Sequence, residues 1–156
     1  MQRREFFKKL GFVAAAAAVV PSVSFAADAA APKGPNEFSF EEALKAITGS
    51  KGATASDKIK LKVPEIAENG AVVPVTVEVD SPMSAEDYVK TIHIFATKNN
   101  NTRCIAAHLT PANGKAMLAT RIKLGTTQDV ATIVELSNGT FLTAKQNVKV
   151  TIGGCG

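Results

Sequence analysis

Two cysteines are the only thiols of this 156-residue chain, and they keep very different company. Cys155 stands in Thr151-Ile152-Gly153-Gly154-Cys155-Gly156, behind a run of alternating β-branched residues and among three glycines that have no side chain to pack. Glycine opens φ/ψ space and loses entropy when ordered, so the spacing predicts a mobile arm over 153–156 with Gly153, Gly154 and Gly156 as its joints. Stretched at about 3.3 Å per residue, such an arm reaches roughly 13 Å beyond Ile152. A thiol at that end is suited to carrying a covalent group into narrow sites. A free cysteine titrates near about 8.5 and reacts as the thiolate, so the sites it enters must activate it. An incidental cysteine on a loose terminus is the plainer alternative.

Cys104 lies mid-chain with His108 four residues on and with His93 and Met117 nearby. Two His, a Cys and a weak axial Met are the ligands of blue copper. If Cys104 and His108 share a strand, four residues at about 3.3 Å each hold them roughly 13 Å apart, too far for one metal. No metal site is therefore expected, and Cys104 is read as packing in or near a core. Arg103 would point to the other face of such a strand and leave the thiol unactivated. A disulfide from Cys104 to Cys155 would merely tie down a tail.

Local motifs for self-sufficient catalysis are missing: there is no Gly-x-Ser-x-Gly, phosphate loop or His-Glu-x-x-His. The chain carries 18 Lys+Arg and 14 Asp+Glu, but the excess is concentrated at its start. Arg3-Arg4-Glu5-Phe6-Phe7-Lys8 is a twin-arginine charged region, Gly11 to Val20 a short Ala-rich apolar stretch, and Ser24-Phe25-Ala26 a cleavage signal. Residues 1–26 are thus expected to be a twin-arginine (Tat) export signal. The apolar run falls short of the roughly 20 residues a bilayer span needs, and the mature protein is expected to be periplasmic and off the membrane. Cleavage removes four basic residues and one acidic one, leaving 14 against 13 and a net charge of +1 in place of +4. That balance, without a basic stripe, gives no footprint for nucleic acid.

The elements that must position these residues are mostly strands. After a flexible leader over 27–37, Ser39-Phe40-Glu41-Glu42 has capping-box spacing, and Phe40, Ala43, Leu44 and Ile47 follow on one helical face up to Gly49. From Asp57 the period becomes two. Strands are expected around 59–63, 73–79, 88–97, 104–109, 118–124, 130–136 and 141–152, with Asn138-Gly139 as a hairpin signal. Lys58, Lys60 and Lys62 read as one solvated face, and Pro74 as an edge or bulge position. About seven strands in a domain over 38–152 predict an all-β, immunoglobulin-like antiparallel β-sandwich behind a short N-terminal helix. From the residues alone three functions stay open: a covalent carrier, an exported immunoglobulin-like binding module with an incidental cysteine, and a cupredoxin-like electron carrier.

The terminal "VKVTIGGCG" resembles the carrier motif of the SoxY family of sulfur-carrier proteins. "YVKTIHIFATKNN" (88–100), "HLTPANGKAMLATRIKL" (108–124) and "VELSNGTF" (134–141) are similar to that family too. Members commonly end in Gly-Gly-Cys-Gly-Gly, whereas one glycine follows Cys155 here. The resemblance implies a non-enzymatic carrier of periplasmic thiosulfate oxidation with sulfur attached at Cys155 and no other cofactor. It implies a heterodimer with SoxZ, loading by the haem cytochrome SoxAX, release of sulfate by the hydrolase SoxB, and a sulfane dehydrogenase, SoxCD, as a further partner.

Overall fold

In the computed structural model, Gly34 and residues 36–154 are described. The expected export signal, the leader up to Lys33, Pro35, Cys155 and Gly156 lie outside the described residues. No helix among the described residues is long and apolar enough to cross a membrane.

Helix α1 (Phe40–Thr48) begins where the sequence places it. Ser39 Oγ accepts from the Glu42 amide at 3.3 Å, and the Ser39 amide donates to Glu42 Oε2 at 2.8 Å, so two otherwise orphaned amides are satisfied reciprocally. Gly49 ends the helix at φ 60, a conformation that penalises residues with a Cβ.

Nine strands follow among the described residues: β1 (Thr54–Ala55), β2 (Ile59–Lys62), β3 (Ile66–Asn69), β4 (Val73–Val79), β5 (Val89–Ala96), β6 (Arg103–His108), β7 (Met117–Ile122), β8 (Gln128–Leu136) and β9 (Phe141–Ile152). One sheet runs β1-β9-β8-β5-β6, with β3 also on β9, and the other runs β2-β4-β7. The two-sheet β fold behind one short helix is therefore as expected. The strands read from periodicity are present, and β1 and β3 are additional. Both pair parallel to β9, at Thr54↔Leu142 and Ile66↔Lys149, so the pairing is not antiparallel throughout. Thr54-Ala55 is too short to show a period and Ile66-Ala67-Glu68-Asn69 does not alternate; the long neighbour β9 supplies their partner groups.

The core lies between the sheets. Val73, Val75, Val77 and Val79 of β4 turn inward to meet Ile92, Ile94, Val130 and Val134. The period-two pattern of β4 is that of a strand with one covered face. Strand β5 is instead buried at every position from Thr91 to Ala96, because α1 covers the outer face of its sheet. Phe40 stacks edge-on to Phe95 at 5.5 Å, beside Ala43, Ala131 and Ile133. Burying Phe95 contributes about 1.5–3 kcal/mol.

Asn138-Gly139 forms the expected hairpin turn. Gly139 sits at φ 77 and its amide donates to Leu136 O at 2.9 Å, while Asn138 Oδ1 accepts from the Thr140 amide. Lys60 and Lys62 face solvent as predicted. Pro74 is a partial correction. It sits on β4, the central strand of its sheet, but β2 ends opposite Thr76, so at Pro74 the pairing runs to Arg121 of β7. The missing amide is tolerated because β2 makes no pair there.

Candidate functional site

Strand β9 delivers the chain to its end. Its ladder with β8 stops at Gln128↔Val148, and from Lys149 onward β3 is its partner. On the vacated side the Val150 amide donates to Thr127 Oγ1 at 3.0 Å. The turn after β3 then comes back over the strand end: the Gly70 amide donates to Ile152 O at 2.7 Å, and Asn69 Oδ1 holds the Ala71 amide at 2.8 Å.

Gly153 and Gly154 do not hang free of this frame. The Gly154 amide donates to Leu124 O at 3.0 Å, and the Leu124 amide donates to Gly70 O at 2.7 Å. A Cβ on Gly153 would run into the Gly125 carbonyl oxygen, and one on Gly154 would lie 2.6 Å from the Ala71 nitrogen. One on Gly70 would collide with Leu124 O and sit 2.8 Å from the Gly154 nitrogen. Three glycines thus permit three backbones to touch. These contacts lie at the root of the expected arm over 153–156, where Gly153 and Gly154 lack the Cβ that so close an approach would exclude. Cys155 and Gly156 lie outside the described residues.

The segment that receives Gly154 is itself clamped. Asn99 donates through Nδ2 to Lys123 O at 2.8 Å, and its Oδ1 accepts from the Gly125 amide at 3.0 Å and from Gln128 Nε2 at 2.7 Å. Gln128, fully buried, spends its remaining groups on the Lys98 amide and Thr126 O. Such a network, satisfied throughout, fixes one geometry for 123–126. As letters, Asn99-Asn100-Asn101 is turn chemistry, and this role of Asn99 is not legible there. The signal available for Gln128 is a polar residue at the entrance of an otherwise apolar strand.

The mid-chain candidates separate. Cys104 packs against the main core as expected, carries no disulfide to any described residue, and offers its Sγ to Thr102 O at 3.8 Å. Burial pushes its thiol pKa up, and a backbone hydrogen bond at Ala96 offsets this only in part. It therefore stays a thiol where a nucleophile needs a thiolate. His93 is 7 % exposed on β5, and burial foremost, with Arg103 and His108 adding positive charge, lowers its pKa to about 4 against the opposing pull of Glu135. His108 ends β6 with Nδ1 3.1 Å from Thr91 Oγ1. Met117 belongs to β7 in the other sheet and is exposed. The copper ligand set is thus spread over two sheets, and no group of three His, Cys, Asp or Glu converges among the described residues.

Comparison with known proteins bears on the whole of this frame. The family model for the sulfur oxidation protein SoxY matches residues 44–155. The sulfur carrier protein SoxY from Chlorobium limicola f thiosulfatophilum is 33% identical, covers 72% of this chain and 96% of its own, and superposes with a TM-score of 0.61. A superoxide reductase (neelaredoxin) from Ignicoccus hospitalis, at 17% identity and a TM-score of 0.54, covers 60% of this chain and 80% of its own. A putative superoxide reductase from Thermotoga maritima, at 16% and 0.53, covers 65% and 96%. At those identities the two reductases share the fold alone. No curated protein matches the chain. With a family match running from within α1 to residue 155, and a solved family member aligned over nearly its whole length, the chain belongs to the SoxY family.

Proposed function

We propose that this SoxY-family protein is a periplasmic sulfur carrier of thiosulfate oxidation, with sulfur intermediates attached covalently to Cys155. The observation that carries the reading is the extent of the family match, which includes residue 155 as its last position. The frame around the terminus is consistent with it. Strand β9 ends with Ile152 67 % exposed. Cys104, the other thiol, is packed and held protonated by burial, which leaves Cys155 as the candidate attachment point.

In this reading the protein is a substrate of other enzymes and catalyses nothing itself. It works as a heterodimer with SoxZ, is loaded by SoxAX and releases sulfate through SoxB, and the remaining sulfane sulfur is oxidised further, with the dehydrogenase SoxCD as partner, or handed on. Export by the twin-arginine route, which moves folded cargo, suits a protein that leaves the cytoplasm with a partner attached.

Intact mass of the protein from cells oxidising thiosulfate tests the proposal, measured before and after reductant beside a Cys155→Ser control. Reducible additions of sulfane or thiosulfonate mass that vanish in Cys155→Ser are expected. An unmodified thiol during active thiosulfate oxidation would overturn the carrier reading in favour of a binding module.

A further inference from the structure

A cleft of about 300 Å³ opens where β6 and β7 approach, and its lining is one-sided in charge. Arg103, Arg121 and Lys123 border it together with Asn101, Cys104 and Ile122, and no carboxylate does. None of the three cations pairs with an acid among the described residues; the ion pairs found there are Lys90 with Glu135, Lys115 with Glu78, and Lys145 with Asp129. Three like charges facing one space repel each other, and a bound anion relieves that repulsion. Arg121 and Lys123 are two positions apart on one extended stretch and so project to the same side. Guanidinium groups present a planar fork of donors that matches oxyanion geometry. The volume suffices for a tetrahedral oxyanion and several waters at about 30 Å³ each.

The wall of the cleft is rigid. Asn99, at its back, is spent on Lys123 O, the Gly125 amide and Gln128, so it fixes the strand end that carries Lys123. The same strand end holds the chain terminus, since Leu124 O accepts from the Gly154 amide. Gly154 is thus bonded to the chain neighbour of Lys123.

We propose that this cleft is a binding site for a small oxyanion of the sulfate and sulfonate class, held by Arg103, Arg121 and Lys123. Two sources present that chemistry: a free ion from solution, or a sulfonate borne on Cys155. The second source rests on the carrier reading above; the first does not.

The test has two arms, both read by amide chemical shifts of the folded protein. In the first, the Cys155→Ser protein is titrated with sodium sulfate against sodium chloride at matched ionic strength. Saturable sulfate-specific shifts are expected at Asn101, Arg103 and Lys123. They should weaken about tenfold in Arg121→Gln, the loss of one charge-assisted hydrogen bond, and stay unchanged in Lys58→Gln, a remote exposed lysine. In the second, sulfite cleaves a mixed disulfide at Cys155: sulfite bonds to Sγ, the partner thiolate leaves, and Sγ keeps the sulfonate. Shifts at the same amides without added ion, reduced in Arg121→Gln, identify the chain-borne source. Response in the first arm alone identifies the free ion. Sulfate shifts no different from those of chloride, together with a sulfonated Cys155 that leaves the cleft amides unmoved, overturn the site, as does a response indifferent to Arg121→Gln. Failure of the mass experiment on Cys155 leaves the first arm standing, so the two readings fail separately.

Discussion

The amide of Gly154 donates to the carbonyl oxygen of Leu124 across 3.0 Å, which fastens the last described residue of the chain to the strand end after β7. Leu124 in turn donates to Gly70, and Gly70 to Ile152. The root of the terminus is thus a three-way backbone junction in which each member is within contact of the next.

Substitution at that junction separates holding the terminus from holding the domain. Gly70→Ala drives a Cβ into Leu124 O, backbone against backbone, and neither side has a flexible end to yield. A loss of about 1–3 kcal/mol is expected, the range for overpacking a filled site. Gly154→Ala meets Ala71 with a similar clash, but its chain can leave. Urea unfolding should therefore show a smaller loss for Gly154→Ala, while hydrogen exchange at the residue 154 amide rises towards that of an open chain.

The clamp on 123–126 is open to the same measurement. Asn99→Ala strands the buried Gln128 amide, the Gly125 amide and Lys123 O together. Each stranded group that water cannot reach costs about 1–3 kcal/mol. Asn99→Ala should consequently be among the most destabilising single changes outside the apolar core, and Asn101→Ala, whose side chain is exposed, close to neutral in urea unfolding.

His93 gives stability a pH dependence of definite sign. Its folded pKa of about 4 lies below the unfolded value of 6.5, so between these values the unfolded chain binds a proton that the folded one refuses. Stability is then fully present above pH 6.5 and falls as pH drops towards 4, by up to about 3 kcal/mol for this group alone. Below pH 4 the group makes no further difference. The check is urea midpoints from pH 7 to pH 4, with His93→Gln flattening the slope.

The two thiols should differ in reactivity. In a Cys155→Ser protein, Cys104 should react with an alkylating reagent at neutral pH far more slowly than a free cysteine peptide, and at the ordinary rate once urea unfolds the domain. Equal rates in the folded and unfolded states would show Cys104 to be accessible and activated.

The letters by themselves determined a good deal of this protein. Capping-box spacing placed α1, period-two alternation placed the longer strands, and Asn138-Gly139 placed the hairpin, because each rests on contacts within a few residues or on one covered face. Their arrangement in two sheets followed from the same alternation. The family was also legible, since its motifs are linear. Tertiary structure alone decided what Gly153 and Gly154 touch. Read as letters, a glycine at a chain end means freedom. Here Gly70 and Ala71 of the turn after β3, and Leu124 and Gly125 of the stretch after β7, close on those glycines, so the absent Cβ also permits contact. Asn99 and Gln128 took their role for the same reason, as a buried clamp that no spacing along the chain announces. The cleft of Arg103, Arg121 and Lys123 needed two strands from opposite sheets to meet, and no spacing along the chain records a meeting set by how the sheets pack.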